Sequence, residues 1–313
     1  MKLAFVFPGQ GSQSVGMLDG FAGSPAVQGL LEQADSALGE PLTTLIAQGP
    51  AETLALTVNT QPAMLAAGYA CWLAWRDAGG AAPVAVAGHS LGEYTALIAA
   101  EAIDFAEALP LVRLRAAAVQ DAVPEGTGGI AAIVGLDPSL VDAVCAEAAQ
   151  GEVVEPANLN SPHQVVIAGH KGAVERGMAI AKARGAKMAK MLPMSAPSHC
   201  SLMKPAAAAL ETALAGVTIR PPRVPVIQNA DVAAFDDPQR IKRALVEQLC
   251  RPVRWVETLQ HVERQGVTHV IECGPGKVLA GLARRTSHAL HAEGIADRAA
   301  LETALAWERS GHA

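Results

Sequence analysis

Charge is scarce in this chain. Only 17% of its 313 residues are Asp, Glu, Lys or Arg, and half are hydrophobic, which places it among soluble globular proteins with room for one large domain or a large and a small one. Basic charge is not in excess: 24 Lys and Arg against 30 Asp and Glu give a formal net charge of -6. That balance argues against nucleic acid as the main partner, since phosphate binding wants a basic surface. Paired cysteines are missing too. Cys71, Cys145, Cys200, Cys250 and Cys273 are odd in number and far apart, with no C-x-x-C pair and no metal-ligand spacing, so they read as reduced, mostly buried thiols in a cytoplasm. No segment reaches the ~18 apolar residues of a membrane span. Lys2 and "LAFVF" open like a signal peptide, but Pro8 and Gly9 end the apolar run too soon. There is no internal repeat and no low-complexity tract beyond enrichment in Ala.

Against these absences stands "GHSLGEYTALIAA", residues 88–100. A buried-strand pattern, "PVAVAG", precedes it and an Ala- and Leu-rich helical pattern follows, so Ser90 lies in a strand-to-helix turn. Gly88-His89-Ser90-Leu91-Gly92 fits G-x-S-x-G, the nucleophile elbow, in which small residues flank a serine in a strained turn. The competing reading makes Ser90 a helix cap, with Glu93 three residues later completing a capping box. "LAFVF" likewise breaks into the turn-rich "PGQGSQSVG". Both loops leave the C-terminal ends of strands in what reads as a parallel α/β sheet, where sites of such sheets sit.

From about residue 126 the pattern becomes self-contained. "GIAAIV" reads as a strand, "DPSLVDAVCAEAA" as a helix capped by Asp137, "VVEPANLN" and "QVVIAG" as strands, "KGAVERGMAIAKAR" as a helix and "AKMAKMLPM" as a last strand. That order, βαββαβ, is the split unit of a ferredoxin-like subdomain. The expected fold is a large α/β-hydrolase-like parallel-sheet domain, residues 1–125 and 198–313, with a small ferredoxin-like subdomain, residues 126–197, inserted in it. "VPVIQN" and "VTHVIECGPG" supply further strands, "KVLAGLARR" a helix, and "DRAALETALAWE" a surface helix near the end. Among nine histidines, His199 stands where the small subdomain rejoins the large one, and clefts between domains are where small-molecule sites lie. His89, beside Ser90, reads as packing or cleft wall. Arg115 and Arg113 lie together on a helix, where solvated salt-bridge partners are the ordinary outcome.

"FPGQGSQSVGML", "GHSLGEYTAL", "RAAAVQDAVPEGTGGIAAI", "NLNSPHQVVIAG", "PSHCSLMKPA" and "ECGPGKVL", in this order, resemble the malonyl-CoA:acyl carrier protein transacylases of bacterial type II fatty-acid synthesis. The resemblance runs from about residue 3 to beyond residue 280. It implies Ser90 as nucleophile and His199 as base, with a main-chain carbonyl at Gln248 orienting the imidazole. It further implies an oxyanion hole from the backbone N–H groups of Leu91 and Gln10, and Arg115 as the fork that holds the malonyl carboxylate. Asn160 would be a polar cleft residue facing acyl or pantetheine groups, and Asn158 its neighbouring support. The implied reaction is double displacement: malonyl-CoA acylates Ser90, then the phosphopantetheine thiol of acyl carrier protein takes the malonyl group. No bound cofactor is implied beyond these substrates, and the family is usually monomeric. Carrier proteins are acidic, so Lys182, Arg184, Lys187 and Lys190 form a candidate docking rim. Within the acyl pocket, Leu91 is consistent with malonyl, and Ala196 stands where close relatives are expected to carry Val.

Two rivals come from other classes. An esterase or thioesterase shares G-x-S-x-G, but usually orders its triad Ser, acid, His with the His near the end of the chain, whereas His199 follows the inserted subdomain. A non-catalytic carrier-docking module would not need Ser90, His199 and Arg115 together.

Overall fold

The computed structural model describes residues 1–193 and 196–310. In chain order its elements are β1 (Leu3–Phe7), α1 (Pro25–Leu38), α2 (Leu42–Gln48), α3 (Ala51–Leu54), α4 (Thr57–Asp77), β2 (Ala85–Gly88), α5 (Gly92–Ala99), α6 (Phe105–Asp121), β3 (Gly128–Val134), α7 (Pro138–Ala149), β4 (Val154–Ser161), β5 (Gln164–His170), α8 (Lys171–Ala183), β6 (Met188–Met191), α9 (Lys204–Ala215), β7 (Val226–Ile227), α10 (Pro238–Gln248), α11 (Trp255–Arg264), β8 (His269–Glu272), α12 (Val278–Thr286), β9 (His291–Gly294) and α13 (Arg298–Ser310). They build two sheets.

The first sheet has the order β7-β2-β1-β8-β9, with every pairing parallel. Strands β7, β2 and β1 are buried throughout and β8 nearly so, and alternate residues divide between two apolar layers. Phe5, Phe7, Val86 and Ile271 pack with residues of α1, α4, α5 and α6, whereas Ala4, Val6, Ala85, Ala87 and Val270 pack with α11 and α12. Helix α4 is buried along most of its length and sets Trp72 and Trp75 edge-on to Phe5, with ring centroids at 4.9 and 5.2 Å. Each large apolar side chain buried in this way stabilises the fold by about 1.5–3 kcal/mol.

The second sheet has the order β4-β5-β3-β6 and is antiparallel throughout. Its strands occupy the spatial order of a ferredoxin-like unit, with α7 and α8 on one face over Ala131, Ile133, Val165 and Ile167. The other face, Ile130, Ala157, Val166 and Ala168, packs on Cys200. β4 is also stitched to the segment after α10: Leu159 N–H donates to Val253 O and Val253 N–H to Ala157 O, both at 2.9 Å.

Two strands are shorter than the sequence suggests, and one is additional to it. The strand read in "VPVIQN" is only two residues long, because Pro225 has no N–H to donate and the chain turns after Ile227, with Gln228 bonded to Val232 and Ala233. The last strand of the small sheet covers only Met188–Met191 of "AKMAKMLPM" and stops short of Pro193, while Met194 lies outside the described residues. β9 was not anticipated, since His291–Gly294 is a short, half-polar edge strand with weak periodicity. Among the described residues, no helix is long and apolar enough to cross a membrane.

Candidate active site

The turn between β2 and α5 is shaped by close approach. A Cβ at Gly88 would lie 1.9 Å from the Gly92 carbonyl group, and one at Gly92 would lie 2.0 Å from Phe7 O; no side chain fits at either position. Between them Ser90 is held at φ +54°, a left-handed conformation that costs energy in a non-glycine residue. The restraint comes from the end of β7. Asn229 Oδ1 accepts from Ser90 N–H at 2.7 Å, and Asn229 Nδ2 donates to Gly88 O at 2.6 Å. Asn229 N–H donates to Glu93 Oε2 at 2.8 Å. Glu93 is thus committed to Asn229 inside the core, and burial pushes its carboxyl up to about 7 against that hydrogen bond.

The capping reading of Ser90 fails for the same reason: its hydroxyl points elsewhere. Ser90 Oγ lies 2.7 Å from His199 Nε2, and His199 Nδ1 lies 2.8 Å from Gln248 O. A carbonyl only accepts, so Nδ1 carries the imidazole proton and Nε2 presents its lone pair to the serine hydroxyl. His199 also sits in the left-handed region, φ +67°, with its N–H donated to Leu249 O. Burial first, and the charge of Arg115 second, pull its pKa down to about 3. The Gln248 side chain braces both partners, donating from Nε2 to Ser90 O at 3.0 Å and accepting from Arg115 NH2 at 3.0 Å.

Arg115 is 2% exposed. Its NH2 donates to Ser90 Oγ at 3.2 Å and its NH1 to Gln61 Oε1 at 2.6 Å, while the Tyr94 ring lies 5.6 Å from the guanidinium. Burial lowers its pKa from the ordinary arginine value. Arg113, two residues earlier on the same helix, instead pairs with Glu40 at 2.8 Å.

A cavity of about 100 Å³ opens over Ser90 and His199, with Gln10, Leu91, Arg115 and Asn158 in its wall. Val119, Ile130, Val166, Leu192 and Ala196 supply the apolar part, so Ala196 borders the cavity. Leu91 stands at the start of α5, where helix geometry leaves N–H groups unpaired; Gln10 holds its own side chain by donating to Thr57 Oγ1 at 3.3 Å. Asn160 is placed differently from Asn158: its Oδ1 lies 2.8 Å from His89 Nε2. His89 is itself packed against Trp255, with ring centroids at 5.4 Å. The basic segment does not form one surface. Lys182 and Arg184 end α8, with Arg184 paired to Glu147, and Lys187 covers Gly135. Lys190 alternates with Ala189 along β6, so it stands on the sheet face that carries Leu192 and the cavity.

Sequence reasoning missed Asn229, Gln61 and Glu155. Glu155, on β4, accepts from both the N–H and the hydroxyl of Ser201, at 2.8 and 2.7 Å, and so fixes the loop that carries His199. Asn229 lies two residues beyond β7, the parallel strand beside β2, where topology alone would direct a search. Gln61 is a lone buried amide in an apolar helix, and such a residue calls for a partner. Among the described residues no cluster of three or more His, Cys, Asp or Glu could hold a metal.

The sequence model of the acyl transferase domain matches residues 4–305. The malonyl CoA-acyl carrier protein transacylase of Salmonella typhimurium is 52% identical over 305 residues, covering 97% of this chain and 99% of its own. Among solved structures, an acyl-carrier-protein S-malonyltransferase from Burkholderia pseudomallei is 59% identical with a TM-score of 0.96, over 98% of this chain and all of that one. A malonyl-transacylase solved in complex with a type II PKS acyl-carrier protein is 50% identical with a TM-score of 0.96, over 98% of this chain and 99% of the other. Matched over nearly its whole length in sequence and in fold, the chain belongs to the acyl transferase domain family, among the malonyl CoA-acyl carrier protein transacylases.

Proposed function

We propose that the protein transfers the malonyl group of malonyl-CoA to the phosphopantetheine thiol of acyl carrier protein through a malonyl-Ser90 intermediate, supplying malonyl carrier protein for fatty-acid synthesis. The observation that carries this reading is the placement of three groups around one hydroxyl: Ser90 Oγ at 2.7 Å from His199 Nε2 and at 3.2 Å from Arg115 NH2. His199 takes the Oγ proton as Ser90 attacks the thioester, and returns it to the departing thiolate. Gln248 O fixes the tautomer without adding negative charge, which suffices for a thioester with its good leaving group. The N–H groups of Leu91 and Gln10 hold the oxyanion, and losing one such donor typically costs about 2.7–4 kcal/mol. Arg115 takes the free carboxylate. Asn158 lines the cavity over Ser90, while Asn160, expected to face the acyl or pantetheine groups, instead holds His89 beside the nucleophile.

The working unit is a large domain, residues 1–125 and 198–313, with a small one, residues 126–197, and the cleft between them holds the chemistry. It acts as a cytoplasmic monomer with no resident cofactor, and Lys190 is the member of the basic rim best placed to meet an acidic carrier protein. Intact-protein mass spectrometry after brief mixing with malonyl-CoA is the direct test. A malonyl adduct that is absent in Ser90→Ala and passes to holo carrier protein is the expected result; steady CoA release with no adduct would point to a thioesterase.

A further inference from the structure

Arg115 is the only buried Lys or Arg among the described residues. Its hydrogen-bond acceptors, Gln61 Oε1, Gln248 Oε1 and Ser90 Oγ, are all neutral. None of the twelve ion pairs among the described residues includes it, and its buried Nε–H has no partner. A guanidinium buried without a counter-ion is costly, and here it also stands next to the base. Arg115 and His199 share the Ser90 hydroxyl, one donating to it at 3.2 Å and the other lying 2.7 Å from it. A cation in that position opposes a second positive charge on the imidazole, which must become imidazolium whenever it takes the serine proton.

Resting on the transfer reading above, we infer that the substrate's own carboxylate activates the base: by neutralising Arg115 it raises the proton affinity of His199, so a malonyl thioester is attacked faster than an acetyl thioester as well as bound more tightly. The step balances without any other reactant. The Ser90 Oγ–carbonyl bond forms as the thioester C–S bond breaks, the Oγ proton moves to His199 Nε2 and then to the thiolate, and CoA leaves as the free thiol with the imidazole neutral again. While malonyl stays on Ser90 its carboxylate remains on Arg115, so the base stays active for the incoming pantetheine thiol.

The other groups around the imidazole do not supply this control. His89 faces it from the elbow and, if charged, would only add to the repulsion; Gln248 O and the backbone at Arg251 accept or donate with fixed dipoles. Glu93, on α5 behind Arg115, is held by Asn229 N–H, and with its carboxyl at about 7 it is no full counter-charge at neutral pH. Glu155 is occupied by Ser201, and the Cys200 thiol is pushed up to about 12 by burial. Consistent with a suppressed base, His199 in the free protein is depressed to about 3, with Arg115 second only to burial as the cause.

The test is a proton titration of His199 followed by NMR of the histidine-labelled full chain, its signal assigned by loss in His199→Gln. Analogues of malonyl-CoA and acetyl-CoA in which CH2 replaces the thioester sulfur are added to saturation, as judged by competition against malonyl-CoA. In the free wild type His199 is expected to stay neutral down to acid unfolding. The malonyl analogue should raise its proton affinity at least tenfold over the acetyl analogue, and Arg115→Gln should raise it without ligand and abolish the difference. Equal effects of the two analogues on the wild type, or no effect of either, overturn the inference even if Arg115→Gln fails to fold. A malonyl label on Ser90 alongside such a result leaves the transfer reading standing; absence of the label overturns that reading instead.

Discussion

Arg113 and Arg115 stand two residues apart on α6 and face opposite worlds. Half-buried Arg113 reaches outward to the exposed Glu40, and Arg115 is sealed in the core among neutral oxygens. Arg184 at the end of α8 repeats the first pattern with Glu147. An arginine paired at the surface has its charge answered and is worth little to the fold. An arginine buried without an answering charge is retained at a cost to stability, and such a cost points to a ligand that completes it.

Breaking the site at its centre should give the largest effect. Ser90→Ala should lower malonyl transfer by roughly 10⁴-fold or more, as loss of a nucleophile does elsewhere, and should leave no malonyl mass on the protein. Next comes the contrast itself. Arg115→Ala should cost malonyl-CoA about 2–5 kcal/mol in kcat/KM, the usual loss when one member of a buried charged contact is truncated. Acetyl-CoA, with no carboxylate to lose, should suffer much less in the same assay. Asn229→Ala should destabilise the fold by about 1–3 kcal/mol through unpaired buried groups at Ser90 N–H and Gly88 O. Urea unfolding would measure that loss, and a fall in kcat with KM nearly unchanged would separate relaxation of the elbow from loss of substrate binding.

The pH dependence of stability sharpens the same comparison. His199 is held neutral at about 3 in the folded state but takes a proton near the ordinary imidazole value of 6.5 once unfolded. The unfolded chain therefore binds the extra proton between those limits, and this contribution to stability is lost as pH falls from 6.5 towards 3. Glu93 works in the opposite sense. With its folded carboxyl at about 7 against an ordinary 4.5, it favours the fold below 4.5 and loses that contribution as pH rises through 7. Urea midpoints measured across pH should flatten on the acid side in His199→Gln and on the neutral side in Glu93→Gln. The smallest effect belongs to the surface: Arg113→Ala should change stability by no more than about 1 kcal/mol and leave both acyl-CoA rates in place.

Much of this architecture is legible in the sequence because its signals are local. The elbow announces itself through the spacing of Gly88, Ser90 and Gly92 in one short turn, although the close approach at Gly92 is to Phe7 O. The βαββαβ run shows in strand and helix periodicity and in the Asp137 cap, whose side chain does accept from Ser139 N–H. Other features are set by long-range contact and leave no local mark. Asn229 meets Ser90 across 139 positions, Gln61 meets Arg115 across 54, and Glu155 meets Ser201 across 46. The opposite fates of Arg113 and Arg115 are likewise invisible until the packing of α6 is known, and only the family resemblance separates them earlier. β9 is an edge strand, too short and too polar for a periodicity to register, whereas β7 lies within the strand read in "VPVIQN" and is only shorter than its pattern suggests.

β4 grips three things at once: the loop after His199 through Glu155, the chain after α10 through Val253, and His89 through Asn160. A boundary drawn where one sheet gives way to the other is therefore not a seam along which the protein can be cut. Anyone exchanging the small sheet for that of a relative, to change acyl or carrier preference, would have to move residues 153–161, 197–203 and 248–254 as one piece. A graft that stops at the insertion points would carry the new wall and leave the catalytic loop without its fastening.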